Sequence, residues 1–464
     1  MYSTTLYNIS SAGYIFSLAI LGIHLLKTKN IVLKIALLLV SVSFLTQTLG
    51  MLFRWIEAGY LEVGATQKAI GQELSGWSWW VVFSQHPPWS NLYEIMVYMS
   101  WGIILVTLIC EIKWRIALIR QAGLILALLA LGIASLTDSS IKPLVPALKS
   151  WWIMIHVISA SIAYAFGFMA AFMCFFALLK DNARVERHKI ASYFLVSMAI
   201  LIFALGGGIN LFTKQDYFVK LLGHTGNSLS LVFDLSANNS KAFLVPMPYV
   251  GYFLITIIIM HILSSIIVYF FKKINIFNVL ILNFLFLFVC LCFMLFHDIN
   301  KTGVIIPENI MHHLSLPRPY IISFLSHQWS FGLFVLVFIL ELFLCAFFIK
   351  PKFILNLLPS VESLEYASYK AISFSFFLMT IVLITGALWA HYAWGRYWAW
   401  DPKETGALAI WLVYAIFLHT RRTSGLSGPV SSLIGVLGFF IIIIGFLGVN
   451  LGLFSEGLHS YGNS

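Results

Sequence analysis

Apolar runs close to 20 residues long follow one another along this chain, and about 20 apolar residues are what a helix needs to cross a bilayer. Twelve such runs stand at about 12–26, 31–53, 92–110, 116–136, 151–179, 190–212, 248–271, 276–296, 329–349, 366–391, 404–420 and 429–448. Composition agrees with the pattern. The chain is 60% hydrophobic and 10% charged, with a mean hydropathy of +0.93, whereas a soluble domain carries roughly a quarter charged residues. The expected fold class is all-α: a polytopic transmembrane helical bundle of about 12 spans.

A net charge of +10 does not point to nucleic acid here, because the basic residues are sorted by position. With the N-terminus placed outside the cytoplasm, 17 of the 28 Lys and Arg residues fall on cytoplasmic loops and helix ends. Lys113, Arg115, Lys272, Lys273, Arg421 and Arg422 are among them, although the outer loops are longer. The positive-inside bias therefore predicts that both termini are extracytoplasmic. No basic residue precedes the first apolar run and no small-residue cleavage site follows it, so it is expected to stay as an uncleaved anchor. Cys110, Cys174, Cys290, Cys292 and Cys345 lie in or beside apolar runs without a C-x-x-C pair, which argues for packing and against redox exchange or thiolate zinc.

On the expected outer side lie 54–91, 137–150, 213–247, 297–328, 392–403 and 449–464. The first is read as a lateral excursion, whose Gly76-Trp77-Ser78-Trp79-Trp80 suits the membrane interface. The densest feature is 389–405, with Trp389, Trp394, Trp398 and Trp400. It ends in Asp401-Pro402-Lys403-Glu404, where Asp401 as N-cap, Pro402 at N1 and Glu404 at N3 start a helix. Trp394 and Trp398 are four apart and share a face if the stretch is helical. An interfacial aromatic belt alone accounts for fewer rings than this. A platform of that kind suits a flat, apolar, metal-bearing ligand.

The string Trp394-Gly395-Arg396-Tyr397-Trp398-Ala399-Trp400-Asp401-Pro402-Lys403-Glu404-Thr405 resembles the WWD signature of haem-handling proteins in cytochrome c maturation. Its Lys-Glu-Thr continuation resembles the CcsA (ResC) family, the membrane subunit of the system II cytochrome c synthase. Likeness continues at 411–421, at Gly438-Phe439-Phe440, at Gly448-Val449-Asn450-Leu451 and at Gly457-Leu458-His459-Ser460-Tyr461-Gly462. Upstream, 86–94 is similar to an HxPxSNLYE segment, and 144–157 to the stretch that carries the family's first external histidine.

The resemblance implies that His156 and His459 are axial ligands of haem iron, with haem b as bound substrate held against Trp394, Trp398, Trp400 and Asp401. It gives His419, at the cytoplasmic end of its helix, a place in an inner haem site paired with a CcsB (ResB) subunit. Neutral imidazole is a good iron ligand, and all three positions sit where the sidedness requires. His24, His261 and Glu341 lie in apolar spans, match no family motif and receive no role; the His312-His313 pair is set aside for its poor geometry around one ion.

Four places depart from the family pattern. His391 and Tyr392 stand where Asn-Glu is usual, and Gly406 follows Lys-Glu-Thr where Trp is common. Residues 60–85 look inserted, and so does 190–357, read as about four extra spans. The chain is thus divided into an N-terminal region at 1–189, an inserted region at 190–357 and a haem-handling core at 358–464. As implied by the family, it exports haem across the membrane and presents it, reduced, for thioether attachment to the CxxCH motif of apocytochrome c. It would act as a holocytochrome c synthase (haem lyase) subunit with a CcsB-type partner and no nucleic acid. The expected location is the bacterial cytoplasmic membrane, with the thylakoid membrane as the alternative. Rival readings are a haem exporter or chaperone of CcmC or CcmF kind without ligation, and a solute or ion transporter with an aromatic gate and no haem.

Overall fold

A computed structural model describes residues 2–27, 29–135, 137, 139–144, 148–181, 187–205, 217–225, 228–231, 233–234, 241–242, 244–247, 250–293, 321–323, 337, 340–341, 345, 351–422 and 428–450. The long helices are α1 (Tyr2–Lys27), α2 (Asn30–Ile70), α4 (Leu92–Trp114), α5 (Ala117–Ser135), α6 (Trp151–Lys180), α7 (Arg187–Leu205), α8 (Val250–Phe270), α9 (Ile276–Phe293), α11 (Val361–Trp394), α12 (Pro402–Arg422) and α13 (Pro429–Asn450). Two short ones, α3 (Gly76–Ser84) and α10 (Pro351–Leu357), stand between them. Among the described residues eight helices are long and apolar enough to cross a membrane, and two more, within α7 and α9, are apolar but shorter. The run at 404–420 forms α12 but is not one of the eight. The run at 329–349 lies almost wholly outside the described residues.

The chain forms two compact units. The first takes Met1–Ser135, Ser139–Phe175 and Glu362–Phe439. Without a hydrophobic drive between helices in lipid, packing rests on close approach of small residues and on interhelical hydrogen bonds. Here Gly102 of α4 lies against the backbone of Ser161 on α6, and Gly123 of α5 lies against Thr107 of α4. Tyr14 of α1 donates to Gln47 of α2 at 2.7 Å, and Gln47 Nε2 donates to Val97 O of α4 at 3.1 Å. Ser375 of α11 donates to Ala163 O of α6 at 2.7 Å.

The first part of the excursion expected at 54–91 is instead the continuation of α2, a 41-residue helix that ends at Ile70. At 1.5 Å per residue it is about 60 Å long, twice the hydrocarbon thickness. Arg54, Glu57 and Glu62 interrupt the apolar run but not the helix, which stops only at Gly71, left-handed at φ 68°. Glu57 then caps the neighbouring helix: its carboxylate accepts from Tyr2 N at 2.9 Å and Ser3 Oγ at 2.6 Å at the start of α1. On α3 the Trp77 and Trp80 rings are 81% and 59% exposed, while Trp79 and Phe83 stack at 4.8 Å.

The second unit takes Leu136–Asp138, Phe176–Val361 and Phe440–Ser464. Segment 213–247, featureless in the sequence, contributes short strands. These are β1 (Tyr217–Thr225), β2 (Ser228–Leu231), β3 (Phe233–Asp234), β4 (Lys241–Ala242) and β5 (Leu244–Met247), with β6 (Ile321–Ser323) from further on. β1 pairs antiparallel with β2, β5 and β6, in registers that include Leu222↔Leu231, Tyr217↔Met247 and Leu221↔Ile322. Polar contacts tie the helices of this unit together. Ser192 of α7 and Ser265 of α8 meet at 2.7 Å, and Ser264 donates to Asn283 of α9 at 2.8 Å. His261 and Glu341, unassigned from sequence, meet here: Nε2 lies 2.8 Å from Oε1, with both side chains buried.

Candidate haem-handling site

The start of α6 and the end of α11 come together around one imidazole. His156 is half-buried, and its Nδ1 lies 2.9 Å from the carbonyl oxygen of Val382 on α11. A carbonyl only accepts, so Nδ1 carries the proton, and in the neutral imidazole the lone pair falls on Nε2. A metal-binding histidine is commonly fixed in this way by a backbone oxygen on its other nitrogen.

The ring reaches that carbonyl because Gly386 has no side chain. A Cβ there would stand 2.9 Å from His156 Cε1 and 3.0 Å from Nδ1. Val382, Gly386 and Trp389 recur at helical spacing on one face of α11. Trp389, 4% exposed, lies 6.4 Å from the imidazole centroid and packs edge-on against Trp394 at 4.9 Å.

After Trp394 the helix ends. Gly395 adopts φ 73° and its N–H donates to His391 O at 2.8 Å. The stretch is therefore not helical as far as Trp398, and the condition for Trp394 and Trp398 to share a face is not met. Trp398 instead meets Trp400 edge-on at 5.7 Å. Trp400 is 71% exposed and has φ 59°, a left-handed conformation costly for a bulky residue, of order 1–3 kcal/mol. His391, one of the departures from the family pattern, stacks on Tyr397 at 4.2 Å with 10° between planes.

The cap read from the sequence forms. Asp401 Oδ1 accepts from Lys403 N at 2.9 Å, and Glu404 Oε2 accepts from Asp401 N at 3.3 Å and from Ala399 N at 2.7 Å. One carboxylate thus holds both the helix start and the turn that carries Trp400. Burial lowers the Lys403 ammonium to about 8, with Asp401 opposing the shift.

His419 lies at the far end of the same pair of helices. It is exposed and lines an open cleft of about 760 Å³ with Tyr366, Tyr369, Ser373, Leu418, Arg421 and Arg422. Arg421 is tied to Glu365 of α11 at 2.7 Å. Tyr369 and Trp389 are separated along α11 by about 30 Å at the helical rise, one hydrocarbon thickness. His459 lies outside the described residues.

The arrangement fits haem in donor set and surface: an oriented imidazole with its lone pair on Nε2, and a row of indoles ending in an exposed one. Sequence reading missed Val382 and Gly386. A glycine inside a helix costs about 1 kcal/mol against alanine and so usually marks a close approach. That was the signal available three residues before Trp389.

Residues 89–225 and 242–459 match the family described as Cytochrome C assembly protein. The chain belongs to that family. It is also similar to proteins named cytochrome c biogenesis protein CcsA. The one from Cyanophora paradoxa is 28% identical over 96% of this chain and 91% of its own length. The one from Picosynechococcus is 28% identical over 92% and 97%. Alignments this long run through 190–357 as well as through both flanks. A Prochlorococcus marinus CcsA is 52% identical over 103 residues, which is 22% of this chain and 32% of that protein. This is a CcsA-family cytochrome c biogenesis protein, as its WWD stretch led one to expect.

Proposed function

We propose that this protein takes haem from within the membrane and holds it, reduced, on the extracytoplasmic side for attachment to apocytochrome c. The observation that carries the proposal is the His156 seat: Nδ1 fixed on Val382 O at 2.9 Å, with Trp389 and Trp394 following along α11. His156 and His459 are the axial ligands in this reading. Trp394, Trp398 and Trp400 form the apolar face beneath the ring, and Asp401 and Glu404 keep that face in register. Haem supplies the iron and the vinyl groups. The two thiols of a Cys-x-x-Cys-His segment add across those vinyl groups, and the protein contributes proximity and orientation. No side chain is assigned as acid or base. His419, in its cleft about 30 Å away along the helix rise, belongs to the inner receiving site, completed by a CcsB-like membrane subunit. The protein acts as the haem lyase subunit of that pair, in a bacterial cytoplasmic or thylakoid membrane with both termini outside the cytoplasm.

The test is the visible spectrum of the protein isolated from membranes with its bound haem. The parent is expected to show a bis-histidine spectrum that is lost in the His156→Ala, His459→Ala double variant. An unchanged spectrum in that variant overturns the ligand assignment. A parent protein that binds haem but yields no thioether-linked cytochrome when supplied with an apocytochrome and its partner subunit is an exporter instead.

A further inference from the structure

Segment 139–150 leads into the helix of His156, and side chains from elsewhere hold it. Among its described residues, only Leu148 has helical geometry. With no ladder of its own, its backbone must find partners in side chains or water. Arg54 Nη2 of α2 donates to Ser139 O at 2.8 Å, and Asn91 Nδ2 donates to Ser140 O at 3.3 Å. Leu144 N donates to Glu62 Oε2 at 3.0 Å, and Lys149 pairs with the other oxygen of Glu62. Two residues later α6 begins.

The holding groups are themselves locked. Arg54 Nε lies 2.9 Å from Glu94 Oε1, and the second oxygen of Glu94 accepts from Ser90 N at 2.7 Å and Ser90 Oγ at 2.9 Å. His86 Nδ1 lies 3.2 Å from Glu62 Oε2. Arg54, Glu62, His86 and Glu94 are each 2% exposed or less. Between His86 and Ser90 sits Trp89, which packs with Met154, Val157 and Ile158, residues on either side of His156. Taking charges out of water costs several kcal/mol each, and an apolar contact would hold helices together more cheaply. What buried charges do that apolar contacts do not is fix a backbone at one place through directed bonds.

We infer that Glu62, with Lys149, positions the haem ligand His156. They fix the approach to α6 from one side, as Val382 O and Gly386 hold the ring from the other. This rests on the proposed role of His156. If the approach is loosened, the imidazole leaves the iron more often, and a competing ligand enters sooner.

Carbon monoxide binding to the reduced, haem-loaded protein reads this directly, because the gas binds only where an axial imidazole has left. Glu62→Gln and Lys149→Ala are expected to bind carbon monoxide several-fold faster per haem than the parent. Glu57→Gln, on the same helix but directed at α1, is expected to match the parent. His156→Ala sets the upper rate. A merely structural role lowers yield and leaves the rate per haem unchanged. Lys149→Ala removes one link from a half-buried residue, so it decides the matter if Glu62→Gln does not accumulate. If both variants bind at the Glu57→Gln rate while His156→Ala is fast, the positioning role is wrong and the ligand assignment stands. If His156→Ala itself matches the parent, the ligand assignment fails, and the positioning role falls with it.

Discussion

Two helices in this protein start with the same local device and use it for opposite ends. At α4, Asn91 accepts from Glu94 N at 2.9 Å while the Glu94 carboxylate reaches back to Ser90. At α12, Asp401 accepts from Lys403 N while Glu404 reaches back to Asp401 and Ala399. Both are Asx-x-x-Glu caps. Glu94, however, is buried and bound to a buried arginine, and its neighbour Trp89 is 9% exposed within a packed cluster. Glu404 bonds backbone, and its neighbour Trp400 stands 71% exposed in a left-handed conformation. The first cap closes a frame. The second holds an indole out where a ligand can meet it. The same four-residue pattern therefore says where a helix starts but not what the start is for; what its glutamate bonds to, a buried arginine in one case and backbone in the other, does that.

The largest effect should come from breaking the buried cap. Arg54→Ala leaves Glu94 uncompensated and is expected to destabilise the protein by about 3–5 kcal/mol, read from thermal unfolding or from yield in detergent. Next comes the contact that the buried frame serves. Gly386→Ala drives a methyl into the His156 ring and is expected to cost about 1–3 kcal/mol by overpacking. It should also alter the haem spectrum, whereas Arg54→Ala should lower yield most. On the exposed side, Glu404→Ala removes one half of a cap, worth about 1 kcal/mol. Its haem occupancy should fall further than its stability, the reverse of Arg54→Ala; equal losses in both variants would erase the distinction drawn between the two caps.

The smallest effect concerns Lys403. Its folded pKa of about 8 lies below the usual lysine value. The unfolded chain then holds more protons than the folded one between about 8 and the free-lysine range. Stability is therefore lowest below about 8 and rises as pH climbs through that window. Lys403→Met should flatten this rise when melting temperatures of parent and variant are compared across it.

Eight of the twelve expected spans and the α12 cap were legible because each is written in neighbouring residues: a run of apolar side chains, or Asp, Pro and Glu at fixed offsets. His156 at the head of α6 was legible for the same reason. Its seat was not, since Val382 lies 226 residues further along the chain. The pairing of Arg54 with Glu94 was hidden differently. Charges after an apolar run look like the end of a helix, yet α2 continues to Ile70 and places Arg54 and Glu62 inside the protein. The place of Trp398 was left open because four-residue spacing means a shared face only while the helix lasts, and Gly395 ends it. The strand pairing of 217–247 with 321–323 joins stretches with no common local signal.

One unbroken helix, α11, carries Tyr366 and Tyr369 near its start and Val382, Gly386 and Trp389 near its finish. Each added residue turns a helix by about 100°. A single residue inserted or deleted between Tyr369 and Val382 would swing the seat of His156 away from its ring while leaving the cleft of His419 in place. Evolution can retune side chains at either location separately, but the length of rod between them is common property, and neither end can change it alone.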